Sequence, residues 1–265
     1  MPRIALGVEY DGTDFVGWQP QHNGRSVAVE LAAAVSAVAN ETVQVHAAGR
    51  TDAGVHATGQ VVHFDTSATR SVRGWVLGIN SNLPADVAIA WAHEVPADFD
   101  ARRSAIARRY RYVIVSTPTR PAVVRRFVWW LHDALDCPAM SHASIAWLGE
   151  HDFSAFRAAE CQSSTPMRRI YAIGIARHEE RIEIEVTANS FVYHMVRNLV
   201  GALAEIGRGR APPAWAAELL VGRDRTKGAP TAPAQGLTLV EVYYSKDLGL
   251  PRTSGASPGL PQTRG

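Results

Sequence analysis

The stretch Arg181-Ile-Glu-Ile-Glu-Val-Thr-Ala188, followed closely by Phe191-Val-Tyr-His-Met-Val-Arg-Asn-Leu-Val-Gly-Ala-Leu-Ala-Glu-Ile206, changes its apolar period partway along. In the first part Ile182, Ile184, Val186 and Ala188 alternate with Glu183, Glu185 and Thr187, the two-residue period of a strand with one buried face. In the second, Val192, Met195, Val196, Leu199, Leu203 and Ile206 fall on one stripe at helical spacing, and Gly207 and Gly209 supply the stop. Strand then amphipathic helix is half of a larger pattern. Upstream, residues 168–177 read as a strand that turns back at His178-Glu-Glu180, residues 140–148 as a helix and residues 110–115 as a strand. Downstream, a short helix follows Pro212-Pro213 and a last strand covers residues 237–244. The order is β-α-β-β-α-β.

The first half has the same order. Ile4, Leu6, Val8 and Tyr10 alternate as a half-buried strand, and Ser26 offers an N-cap to a helix with Val27, Leu31, Ala34, Val35 and Val38 on one face. Residues 43–46 and 60–64 read as strands either side of a Gly-rich loop, residues 71–82 as a helix and 87–91 as a strand. The halves share this order but not their residues. The expectation is an α+β protein of two ferredoxin-like β-α-β-β-α-β halves whose antiparallel sheets meet at a central cleft. The boundaries expected are 1–105, 106–245 and a Gly/Pro/Ser/Thr-rich, disordered tail at 246–265. The tail's Gly255-Ala-Ser-Pro-Gly259 has the form G-x-S-x-G but lacks the strand and helix that motif needs.

Composition excludes several classes. Purely apolar runs, such as Phe127-Val-Trp-Trp-Leu131, are far below the roughly 20 residues a spanning helix needs. Glu9 lies where a secretory core is uncharged, so a cytoplasmic protein is expected. Cys137 and Cys161 are too few for a disulfide framework. Net charge is +2, yet 25 of the 27 basic residues are Arg. Eight of them (102, 103, 108, 109, 111, 120, 125 and 126) fall within 25 residues that hold no Asp or Glu. Such a local excess reads as a polyanion footprint, and the guanidinium fork suits phosphates and bases.

Between the strands of the first half lies Ala48-Gly-Arg-Thr-Asp-Ala-Gly-Val-His56-Ala-Thr-Gly-Gln60. Gly49, Gly54 and Gly59 frame Arg50 and Asp52 and allow a ligand close to the backbone. The loop is longer than a hairpin requires, and no Lys-Ser/Thr follows to make it a phosphate loop. The ten His are scattered, with neither H-E-x-x-H nor clustered Cys/His spacing, and no dinucleotide fingerprint occurs. His132-Asp133 and His151-Asp152 are isolated pairs. A site without metal or cofactor is expected.

Gly49-Arg-Thr-Asp-Ala-Gly-Val-His56 followed by Gly59-Gln-Val-Val-His-Phe64 closely resembles the signature of the tRNA pseudouridine synthase A (TruA) family. Four further segments resemble that family's motifs in its own order: Tyr10-Asp-Gly-Thr-Asp-Phe-Val-Gly-Trp-Gln19, Arg108-Arg-Tyr-Arg-Tyr112, Ser190-Phe-Val-Tyr-His-Met-Val-Arg-Asn198 and Pro233-Ala-Gln-Gly-Leu237. Only Ser81, where a small apolar residue is expected, and the tail depart from it. The resemblance implies an isomerase of the pseudouridine synthase fold that converts uridine to pseudouridine at positions 38, 39 and 40 in the anticodon stem-loop of tRNA. It implies no cofactor, no metal, no membrane and a homodimer, for which residues 127–131 offer an apolar contact.

By the same resemblance Asp52 is the nucleophile, with attack at C1′, attack on the uracil ring and abstraction of a ribose proton all open to it. Arg197 is its cation partner, since burial disfavours a lone carboxylate charge. Tyr110 stacks on the extruded base, and Arg50 holds the target's phosphate or a neighbour of the displaced base. Two other classes fit parts of the pattern. A non-catalytic RNA-binding module shares the Arg-rich stretch, and a metal-dependent phosphohydrolase would use the His-Asp pairs.

Overall fold

Alternating Ile4, Leu6 and Val8 build β1 (Arg3–Tyr10), with α1 (Val27–Ala39), β2 (His46–Ala47), β3 (His56–Asp65), α2 (Val72–Asn82) and β4 (Val87–Val95) following. The computed structural model describes residues 1–251. β1 pairs antiparallel with both β3 and β4, so its residues Ile4 to Val8 are buried in the middle of this sheet. Phe64 of β3 meets Trp75 of α2 near-perpendicular, with ring centres 5.3 Å apart, and Leu31, Val35 and Ile79 are fully buried with them. Each such side chain contributes about 1.5–3 kcal/mol by leaving water.

Two local expectations change in this region. Ser26 takes extended dihedrals but its hydroxyl caps nothing; the first helical N–H groups of Val27 and Ala28 go to the carbonyls of Gly17 and Trp18. Residues 43–46 do not form a strand, because the Val43 N–H is taken by the Ser36 hydroxyl at 2.9 Å, and pairing begins only at His46. Ser71 does cap α2, accepting from the Gly74 N–H. Ser81 is exposed, and its hydroxyl bonds to the Gly78 carbonyl, so a polar side chain is satisfied there.

The second stretch of chain contains β5 (Ala107–Ser116), β6 (Trp129–Leu131), α3 (Cys137–Ser144), β7 (Gly149–Asp152), β8 (Met167–His178), β9 (Arg181–Ala188), α4 (Met195–Gly207) and α5 (Trp215–Gly222). Its strands lie in the order β5-β9-β8-β7, with β6 parallel to β5. β8 and β9 form the expected hairpin, turning at Glu179 with φ 55°. Trp147, Phe153, Phe156, Ile182, Ile184 and Leu203 are fully buried, and the Trp147 indole N–H donates to the Ala216 carbonyl. That bond shows why the helix expected over 140–148 ends early: the chain tightens to a 3₁₀ turn at Ile145–Trp147 to place the indole. α4 starts at Met195 rather than at Phe191, because His194 is left-handed (φ 61°) and Tyr193 is tied by its backbone to Ala158 and to the Cys161 sulfur.

The last strand, β10 (Leu237–Tyr243), pairs in parallel with β3 at Thr238↔His56 and Leu239↔Ala57. The chain therefore divides into residues 1–108 with 238–251, and residues 109–237. This differs from the division expected at 105/106, since the closing strand of the second half packs with the first. Lys246–Leu248 is a 3₁₀ turn rather than the start of a tail, and residues 252–265, with the G-x-S-x-G match, lie outside the described residues. Among the described residues no helix is long and apolar enough to cross a membrane.

Candidate active site

Asp52 belongs to a loop whose backbone is held from several sides. An isolated bridge joins it to Gly17, the Trp18 N–H donates to the Thr51 carbonyl at 3.0 Å, and the Val55 N–H to that of Asp52 at 3.1 Å. Gly17 has φ +113°, where a Cβ would meet the Thr51 carbonyl oxygen at 3.0 Å. The neighbouring Gly12 is tighter still: a Cβ there would lie 2.0 Å from the Val55 carbonyl oxygen. These two glycines let residues 11–18 lie directly against the loop. Glycine is required for space at one and for dihedral freedom at the other.

Buried polar side chains complete the support. Tyr10 Oη and Thr51 Oγ1 are 2.8 Å apart. Gln60 Nε2 donates to the Gly49 carbonyl at 2.6 Å while its Oε1 accepts from the Gly49 N–H. His56 Nδ1 accepts from the Gly12 N–H at 3.0 Å, and Arg108 donates to the Ala48 carbonyl at 3.0 Å. Burial pushes the Tyr10 phenol up to about 12, against the lowering effect of Thr51 and Gln60, so it stays neutral at any working pH. The result is a half-buried Asp52 and an exposed Arg50, two residues apart on a rigid backbone.

The other two residues singled out from the sequence lie in the second unit. Tyr110, on β5, is buried and meets Phe191 near-perpendicular with ring centres 5.1 Å apart. Arg197 is half-buried in the first turn of α4, and its Nε donates to the Ala232 carbonyl at 2.7 Å. The Ala232 N–H returns a bond to the Arg197 carbonyl, so the guanidinium is oriented by backbone. A helix's first turn already favours negative charge, and Arg197 adds a full cation there. Asn198 next to it is buried and satisfied by Phe156, Thr231 and Arg225. The structure thus joins Asp52 to Arg50 in one unit and gives Tyr110 and Arg197 to the other.

The polyanion footprint needs correction. Arg108 is buried and serves the carbonyls of Ala48, Arg102 and Ala105. Arg109 is 5% exposed with Glu185 at 3.7 Å, and Arg111 bonds Glu185 at 2.7 Å with Glu183 at 3.4 Å. The acids missing from residues 102–126 arrive from β9. What is left on the surface is Arg102, Arg103, Arg120, Arg125 and Arg126.

Other expectations sort by their contacts. His151 bonds the Leu148 carbonyl, Asp152 accepts from the N–H and hydroxyl of Ser154, and Asp133 pairs with Arg208 at 2.7 Å; both His-Asp pairs hold loops and helix ends together. Among the described residues no three His, Cys, Asp or Glu come together in a way that could hold a metal ion. Of residues 127–131 Phe127 is exposed, Trp129 and Trp130 are half-buried, and Val128 and Leu131 are buried. Sequence reasoning missed Thr51, Gln60 and His56 as supports and Phe191 as the ring beside Tyr110. The available signal was the polar Gln60 and His56 inside an otherwise apolar strand.

The glycine-pinned loop that carries Asp52 and the strand that carries Tyr110 are segments whose motifs pointed to the class of RNA-modifying enzymes. A family model described as tRNA pseudouridine synthase matches residues 7–102 and 143–245, and the chain belongs to that family, isomerases that convert uridine to pseudouridine in tRNA. Among its relatives are proteins named tRNA pseudouridine synthase A. That of Klebsiella pneumoniae is 53% identical, over 94% of this chain and 92% of its own. That of Histophilus somni is 54% identical, over 94% and 93%, and that of Shewanella amazonensis 52%, over 95% and 97%.

Proposed function

We propose that the enzyme isomerises uridines 38, 39 and 40 of the tRNA anticodon stem-loop, with Asp52 as the nucleophile and no cofactor. The reaction breaks the uracil N1–C1′ bond, turns the base and forms C5–C1′; N1 gains a proton and C5 loses one. Atoms and electrons balance within the nucleotide and water, so neither an oxidant nor a reductant is needed. In this reading Tyr110 stacks on the extruded uracil, Arg197 supports the negative charge of Asp52, and Arg50 holds the phosphate of the target.

The observation that carries the reading is the backbone clamp on Asp52. Its neighbours at 51 and 53–55 are fixed by Gly17, Trp18, Tyr10 and Gly12. A reacting group gains most when it is held in place before substrate arrives. The non-catalytic module accounts for surface arginines but gives no role to so constrained a carboxylate.

The test is nucleoside analysis of a tRNA transcript treated with enzyme in the presence of a chelator, with positions mapped. The wild type should form pseudouridine at 38–40. Asp52→Asn should lose about 10³-fold or more in rate while binding the transcript as before. Normal turnover by that variant removes Asp52 from the chemistry; chelator sensitivity removes the cofactor-free reading. We also propose a cytoplasmic homodimer, for which sedimentation of the purified enzyme at micromolar concentration should give twice the chain mass.

A further inference from the structure

The second unit has a groove that no step above uses. The groove has a volume of about 420 Å³ and is lined by Val128, Trp129, Trp130, Gln235, Arg120 and Arg125. Both tryptophans are half-exposed, and their positions are fixed. The Trp130 indole donates to the Thr117 carbonyl at 2.9 Å, and Trp129 meets Tyr112 near-perpendicular at 6.2 Å. Tyr112 in turn donates to the Pro233 carbonyl at 2.7 Å, tying the two walls together.

The charge here differs from that on β5. Arg109 and Arg111 are neutralised by β9, whereas Arg120 and Arg125 have no carboxylate partner among the described residues. Arg125 uses one NH group on the Ala122 carbonyl, which fixes the loop and leaves the rest of its fork available. Two guanidinium groups without a carboxylate partner, lining the same groove as two indole rings, make a site for a phosphate with a base or ribose beside it.

We propose that this groove is a second RNA subsite, which holds a nucleotide of the bound tRNA near the target. The proposal rests on the reading that the target base lies against Tyr110. Tyr110 and Tyr112 share one face of β5, about 7 Å apart along the strand. Trp129 lies one strand over, opposite Ile114. A nucleotide chain leaving Tyr110 therefore reaches the groove within a few residues. A second copy of the chain is the poorer occupant. A twofold contact centred on this loop sets Arg120 and Arg125 against their own counterparts, like charge on like charge.

The experiment compares wild type, Arg120→Gln/Arg125→Gln and Arg120→Lys/Arg125→Lys on an unmodified tRNA transcript at several salt concentrations, with sedimentation of each. Both residues are exposed, so the variants should fold. The Gln pair should raise KM about tenfold or more with kcat within about twofold, and lower the slope of log Kd against log salt by about 1–2. The Lys pair should restore the salt slope and recover only part of the KM, since it keeps charge without the fork. An unchanged KM and slope in the Gln pair overturns the subsite. So does a changed oligomeric state with wild-type tRNA affinity, which assigns the groove to a second copy. If Tyr110→Ala turns over normally, the reading of Tyr110 fails instead, and that result is independent of the arginine pair.

Discussion

The Asp52 loop and the arginines of β5 hold their charged groups in opposite ways. Around Asp52 the constraint is mostly backbone on backbone: Gly17, Trp18 and Val55 clamp the chain, and the polar side chains of Tyr10, Gln60 and His56 bond the Thr51 hydroxyl, the Gly49 backbone and the Gly12 N–H. Around Arg109 and Arg111 it is charge on charge, with Glu183 and Glu185 supplied by a strand more than 70 residues away. The first arrangement fixes the backbone on either side of Asp52. The second consumes cations in building the sheet, and their number says little about what the surface can bind.

Breaking the backbone clamp should cost most. Gly12→Ala places a methyl 2.0 Å from the Val55 carbonyl oxygen. Because that atom is backbone, we expect about 3 kcal/mol of destabilisation, read by urea unfolding, together with a loss of kcat. A Gly12→Ala enzyme of normal stability and rate would show that the loop is not held by this approach. Glu185→Gln should cost less, about 1–2 kcal/mol, because Glu185 is 28% exposed although Arg109 is only 6% exposed at its side chain. Its kcat should stay near wild type, and a large loss of kcat would mean that β9 shapes the site as well as the sheet.

Tyr10→Phe removes one buried bond to Thr51, with an expected cost of about 1 kcal/mol and a measurable fall in kcat. The smallest effect is at Glu41, whose carboxyl is held down to about 2 by the Ser67 hydroxyl, the Thr66 hydroxyl and the Ser67 N–H. A depressed folded value means that this contribution is present above the unfolded value near 4.5 and is lost as pH falls towards about 2. Glu41→Gln should therefore flatten the acid side of the stability curve between those limits without moving the neutral activity. An unchanged acid limb would show that the Glu41 bonds form equally in the unfolded chain.

Much of the fold was legible because its signals are local. The period-2 and period-3.6 patterns placed nearly every element, and residues 71–82 were read as a helix that the structure begins at Val72, one residue later. The misses share a cause. Ser26, Val43 and Phe191 carry correct local signals for cap, strand and helix, but Gly17, Ser36 and Cys161 respectively take the backbone groups or bend the chain that those signals require. The motifs around Asp52, Arg50, Tyr110 and Arg197 could be quoted from the sequence. The ring contact between Tyr110 and Phe191, and the carbonyl that orients Arg197, could not.

By itself, then, the sequence determined most of the element order, though not β6 or β7, the family motifs and the types of residue available for chemistry, because periodicity and turn composition act over a few neighbouring residues. Only the tertiary structure decided that β10 joins the first unit, that Glu183 and Glu185 neutralise the central arginines, and that Arg120 and Arg125 remain unneutralised beside the tryptophans. Pairing between distant residues depends on which strands lie side by side, and the energy of burying an arginine depends on what arrives next to it.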